Sequence, residues 1–578
     1  AFNAVPTNNT STPVKMLQSV TESATLTANR NANFNLNGKT ITGTTTNQGT
    51  MTISGSGTFS ASSNCCLNNS GTMNITNGNI TSNNANGIIN AKTGSVVITG
   101  GTVTSYGNAI NNNGGNVQIS NATIKGTRSG YSGINNNDSG TIRVNSGNLE
   151  TSGCHTISNN GGEVIISGGT IKCTSTSGYS AIDNADKVTM TNGTLIASGT
   201  YSFNNRGSAT ISGGSIQGKE SIYNRNSTST LNISGGNVTG LSTNNGNMTV
   251  SGNANLSNGS GNTINNTVTL NINGGTIKGN GTYYGINSTN GTVTISGGTI
   301  SGETSNALVR ASNGTINMKS GTVELTGSKD GNGILANDVG VFNISGGTVK
   351  GSNQGTSSLV KHDSTGTCTI SGGNITKTSS NAEATVVYLS GKGTLNISGG
   401  NVVSEHGNVV DMSSTGTLNV SNTASIRAES TSYTSTISNR STGNIYIKGG
   451  LVYSEAGIAI NNYVNGYISM TGGTVKSNAK GYQAIFCTSK ADYSGAVGNV
   501  DIFGGTVENS GGGAAIAVNY YGYLTVYGGT IKSKATSAGG FSNSGTIVVR
   551  SNNGTYNNYV YKAGSIQNSA GGPTVSKI

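Results

Sequence analysis

Asp183 with Asp186, and His362 with Asp363, are the closest approaches in this chain to side chains set for acid/base chemistry. Cleaving a glycosidic bond needs two carboxyl groups converging within roughly 5–10 Å, one to protonate the leaving oxygen and one to attack or to activate water. The chain has no Asp-Asp pair and its acids are dispersed. Neighbouring turns of a repeat can bring distant residues together, but no acidic pair recurs from one repeat to the next. The stretch "SKDGNG" around Asp330 begins like a calcium loop and lacks the later acidic ligands. The six cysteines, Cys65, Cys66, Cys154, Cys173, Cys368 and Cys487, show no CxxC and no Cys/His spacing of a metal site. They read as small core hydrophobes, with a bridge between Cys154 and Cys173 as the alternative. The expectation is a protein that is not an enzyme, with no catalytic residue, metal or cofactor assigned.

In place of catalytic pairs the chain has a repeated phrase. "GTVTISGGTI" at Gly291–Ile300 has relatives in "EVIISGGTIK" from Glu163 and "FNISGGTVKG" from Phe342. Taking the central apolar residue of each phrase as an anchor gives a series from Leu36, Ile53 and Ile75 to Val549. Its 22 intervals average about 23 residues, a solenoid period. The residue two before the anchor is usually apolar, as in Val293 and Leu231, which is the alternation of a half-buried strand. The fifth residue after the anchor is apolar too, as in Val103, Ile171 and Ile300, while Thr58, Asn255 and Ser425 look one residue out of register. A third phrase precedes many anchors, for example "AINNN" at Ala109, "GINNN" at Gly133 and "AIDN" at Ala181.

Leucine-rich repeats share this period but carry a helical segment and an LxxLxL frame. Here Gly punctuates every few residues and helix-forming runs are absent. The sequence therefore predicts an all-β protein, a single long parallel β-helix (β-solenoid) of about 23 rungs with three short strands per rung. At a rung spacing of roughly 4.8 Å this would be a rod on the order of 110 Å long. Residues 1–19 read as an N-terminal arm outside the period, either a disordered lead-in or an extended segment that pairs with a neighbour; residues 20–560 form the β-helix and 561–578 a C-terminal cap or tail.

Asparagine at the corner after the third strand, at Asn111, Asn135, Asn184, Asn224, Asn287 and Asn461, is expected to stack its amides in an internal ladder. In these corners, and in "ATLTANRNANFNLNGKTITG" from Ala24, the chain resembles the right-handed parallel β-helices of the pectin-lyase-like superfamily, in particular secreted bacterial members. The resemblance implies the fold over roughly residues 20–560. It would also imply, for an active member, clustered Asp with His and Arg or Lys on one face, or a calcium-binding acidic cluster with a basic residue. This chain lacks those clusters.

Charged residues are 9% of the chain against a usual ~25%, yet Val, Ile and Thr are periodic, which excludes disorder. No apolar run approaches the ~18 residues of a membrane helix, and no basic-aromatic motif suggests nucleic acid. The start at Ala1, without methionine or an apolar segment, fits an extracellular or cell-surface protein whose signal peptide has been removed. Tyrosine is concentrated late, including Tyr520, Tyr521, Tyr523, Tyr527, Tyr556, Tyr559 and Tyr561, and marks this quarter as a subunit interface, a glycan-contacting face, or ordinary outward strand positions. Lysine recurs one residue after the second inward position, at Lys125, Lys172, Lys278, Lys350, Lys476 and Lys532. It reads as a solvated face or, with the net charge of +11, as an attraction to acidic envelope polymers. Open solenoid ends invite stacking, so the end rungs around Leu36 and the arm with Pro6 and Pro13 are the candidate assembly residues.

The leading expectation is an extracellular bacterial structural or adhesive rod that joins to copies of itself head to tail as a surface filament. The alternative is a glycan-binding surface protein or phage fibre. A polysaccharide lyase or hydrolase ranks last.

Overall fold

The computed structural model describes residues 2–352, 355–464, 466–488, 499–519 and 523–533, and the strands at 541–543, 546–549, 555–556, 567–568 and 576–577. The protein is a parallel β-solenoid: the strand pairs are parallel and join each strand to its counterpart about one repeat away. It divides into two compact units, residues 1–259 with 263–270, and residues 260–262 with 271–578.

A turn of the first unit shows how the repeat works. Its first strand, Ser95–Ile98, its second, Thr102–Ser105, and its third, Ile110–Asn113, pair respectively with Asn116–Ile119, Ala122–Gly126 and Ile134–Asn137 of the next turn. In the first two strands the side chains alternate between half-exposed and buried, so Val96, Ile98 and Val103 stack on Val117, Ile119 and Ile124, none more than 1% exposed. Each such aliphatic contributes roughly 1.5–3 kcal/mol of burial, and stacked turns are what bury it. The residues that looked out of register are indeed displaced by one: Phe59, Leu256 and Ile426 point inward beside Thr58, Asn255 and Ser425.

The Ser-Gly-Gly corner explains the invariant look of the phrase. In "GTVTISGGTI" a Cβ on Gly297 would lie 2.5 Å from the Asn273 carbonyl oxygen of the adjacent turn, and Gly298 has φ +73°. One glycine permits the close stacking of corners and the other supplies the left-handed backbone.

The first turn corrects two expectations. Phe34, not Leu36, aligns with the anchor Ile53, and Leu36 is buried just past the strand's end. The segment expected to be an arm outside the period also carries a strand of the solenoid: Ser11–Lys15 pairs with Asn31–Asn35, matching Pro13 with Asn33 and Val14 with Phe34. A 3₁₀ turn at Phe2–Ala4 packs Phe2 onto Phe34 at 5.4 Å between ring centroids, and Arg30 binds the carbonyls of Phe2, Asn3 and Val5. Phe2 and Val5 thus cover the core at this end, while Pro6 and Pro13 are exposed. The strand escaped the repeat pattern because proline interrupts it and Val14, the residue in anchor register, is only half buried.

Candidate functional site

The third strand positions the residues with chemical potential, because both of its faces carry polar side chains. On the inward face of the first unit, eleven asparagines from Asn47 to Asn266 stack one per turn. Each of the first ten donates its Nδ2–H to the Oδ1 of the next at 2.7–2.8 Å. Most also donate to backbone carbonyls, as Asn136 does to Gly140 and Gly161, both at 2.9 Å. At the head of the ladder Asn47 Oδ1 has no donor, since Leu26 occupies the position before it. Asn184 and Asn224 are members. Asn111, Asn135 and Asn287 instead lie half-buried on the opposite face, and the inward residues are Asn112, Asn136 and Ser288. Asn461 is also in the outward row; its Nδ2 contacts Ser435 Oγ and Tyr433 OH, and Asn462 is the residue bonded to Asn439. In a run such as "AINNN" the strand alternation, counted from the buried Ile110, selects the second asparagine.

In the second unit the inward position is filled by Ala336, His362, Leu389 and Met412 before Asn439 and Asn462 resume. His362 is fully buried, with Nε2 3.1 Å from the Thr394 carbonyl oxygen and Nδ1 3.2 Å from Ser364 Oγ, and burial lowers its pKa. Asp363, the next residue, faces outward and pairs with Lys361 at 3.2 Å. Strand alternation therefore parts the two groups whose sequence adjacency drew attention. Asp183 and Asp186 are likewise committed separately: Asp183 accepts from Asn204 and Arg206, both at 2.6 Å, and Asp186 from the Gly162 N–H at 2.6 Å. His155 accepts the Ser180 N–H at Nδ1, and burial lowers its pKa against the pull of Asp183. Among the described residues no three His, Cys, Asp or Glu side chains gather as a metal centre would require. All six cysteines are buried and unpaired, and burial pushes Cys66 and Cys368 up to about 12.

The outward face of the third strands in the second unit lines a groove of about 1270 Å³. Its floor is one row across four turns, Lys361, Tyr388, Asp411 and Ser438, in continuous register, and the buried Asn461 continues that row past the groove. Asp411 is 4% exposed and receives Arg440 through both carboxylate oxygens. Burial raises its pKa while Arg440 pulls it down. Tyr433 and Tyr463, 44% and 36% exposed, wall the groove with Glu383 and Thr356–Ser358. Tyr388 donates to or accepts from Ser413 at 2.7 Å, and the Lys361 ammonium lies 5.9 Å from its ring centroid.

These tyrosines follow a pattern that counting by quarter misses. Tyr106, Tyr131, Tyr179, Tyr283, Tyr433 and Tyr482 each stand two to four residues ahead of a third strand. Both units therefore carry aromatic rings along the rim of this face, with Arg128 over the rings of Tyr106 and Tyr131 at 4.7 and 5.2 Å. Of the late tyrosines singled out earlier, Tyr527 is half-buried and stacks on the exposed Phe503 at 4.5 Å. Tyr523 and Tyr556 begin and end short strands, their side chains outside the described residues; Tyr520, Tyr521, Tyr559 and Tyr561 lie outside them altogether. The recurring lysines are partly neutralised by glutamates of neighbouring turns, Lys350 by Glu324 at 2.8 Å and Lys476 by Glu508 at 3.1 Å. The chain matches no known protein family, no curated protein and no solved structure.

Proposed function

We propose that this is an extracellular structural β-solenoid whose adhesive surface is the outward face of its third strands, where it binds a polysaccharide without cleaving it. The supporting observation is the groove of the second unit: a shallow polar floor in strand register, walled by exposed tyrosine rings. Sugar rings present an apolar C–H face and an equatorial set of hydroxyls. Tyrosine faces suit the first, and a floor of serine, asparagine and paired charges suits the second. We favour binding over hydrolysis because Asp411, the carboxylate placed deepest, is held by Arg440 and is not free to accept or deliver a proton. Kinship with bacterial pectin-lyase-like β-helices rests on the repeat and the ladder.

Head-to-tail joining of copies is the second reading; against it, Phe2 and Val5 are buried and Pro13 removes an N–H from the strand Ser11–Lys15, a device that discourages strand addition.

A glycan microarray tests the reading with the wild type and with Tyr433→Ala and Tyr463→Ala. These rings are exposed enough to be removed without unfolding the turn. Retention of a polysaccharide class by the wild type, weakened at least tenfold in each variant and with no shortening of the chain, is expected. Equal retention by all three proteins, or depolymerisation, would overturn it.

A further inference from the structure

Resting on the glycan-binding reading of this groove, we infer that its ligand is an uncharged polysaccharide, read at about one sugar ring per turn, and that acidic polymers are excluded. The net charge of +11 points the other way, but charge acts where it is presented. The two cations that face the groove are already engaged: Lys361 with Asp363 at 3.2 Å and Arg440 with Asp411. Each is already compensated by its own acid, so neither adds net positive charge to draw in a uronate carboxylate. Arg440 is the more accessible member of its pair, at 56% of its side chain against 5% for Asp411, so drawing the guanidinium away would leave an almost fully buried carboxylate unpaired. That penalty is large. Glu383 adds a further negative group on the wall and has no cation within salt-bridge distance among the described residues. A polyanion would thus meet two carboxylates at the wall and floor and no unengaged cation.

The register sets the second half of the inference. Turns of a parallel solenoid rise by roughly 4.8 Å, close to the advance of one pyranose ring in an extended glycan. Lys361, Tyr388, Asp411 and Ser438 stand one per turn along the groove in unbroken register, so a chain laid along the axis would meet one position of the row at each ring. Tyr433 and Tyr463, both partly exposed, flank adjacent turns at the end of that row, Tyr433 with its ring packed against Tyr482 at 4.5 Å.

The test is equilibrium binding of the full chain to three polymers of matched length: a neutral glucan or mannan, a polyuronate, and a polyglucosamine. Each is titrated at low and at high salt. The neutral polymer is expected to bind at least tenfold more tightly than the polyuronate, with an affinity that changes less than twofold with salt. Affinity for neutral oligomers should rise with length and level off when the chain fills the four turns of the row. Glu383→Gln should narrow the gap between neutral and uronate polymers. Preferred binding of the polyuronate or polyglucosamine, weakened by salt, would overturn this inference and leave glycan binding intact. Binding of none of the three, with a folded far-ultraviolet spectrum, would overturn the glycan reading itself.

Discussion

Lys377 shows how much one residue can depart from its repeat. Its neighbours at the same corner in adjacent turns are Gly351 and Ser404, yet this lysine is 1% exposed and directs its ammonium at the carbonyls of Gly355 and Ser357. Those carbonyls belong to the segment that walls the groove. Burial lowers the Lys377 pKa to about 8 despite the pull of Asp330. Between that value and the ordinary 10.5 the unfolded chain holds the proton and the folded chain does not, so this group makes stability rise with pH across that window. Below about pH 8 both states are protonated and its contribution is flat. Urea titrations of wild type and Lys377→Met should therefore diverge in favour of the wild type from about pH 8 upward, by on the order of 3 kcal/mol at the top of the range. Parallel curves would mean that the ammonium is not desolvated. The burial was not legible in the sequence, because "ITKTSS" reads as an exposed lysine after a strand; only the loop folding back over the corner encloses it.

At the scale of the element, the third strand is a sheet with amides on both faces, and alternation decides which asparagine is structural. Asn136 satisfies four hydrogen bonds inside the core, whereas Asn135 bonds Asn111 and Asn160 on the outer face. Asn136→Ala should destabilise the first unit by about 2–4 kcal/mol, because it orphans ladder groups above and below, and Asn135→Ala by under about 1 kcal/mol. Denaturant midpoints of the two variants check this; equal effects would contradict the assigned register. The strands and their stacking were legible because "TISGG" carries its own alternation and its own corner. The exact ladder residues were not, since "INNN" offers three candidates and only the preceding isoleucine fixes the phase. The tyrosine rim was visible in principle, two to four residues before several third strands, but a count by position along the chain obscures it.

For the molecule as a whole, composition and repeat describe a scaffold, and function depends on where the repeat is interrupted. The groove forms where loops carry Tyr433 and Tyr463 and where the outer row runs through Lys361, Tyr388 and Asp411. These residues are some 23 to 27 positions apart in sequence and become neighbours only through turn stacking, so no local motif announces them. The global charge of +11 is likewise a poor guide to a groove whose cations are each held by an acid. A crystal structure of the protein with a neutral oligosaccharide is the most direct test. Sugar rings stacked on Tyr433 and Tyr463 above an intact Asp411–Arg440 pair, advancing one ring per turn, are predicted. An oligosaccharide bound elsewhere, with the groove filled only by solvent, would contradict the assignment.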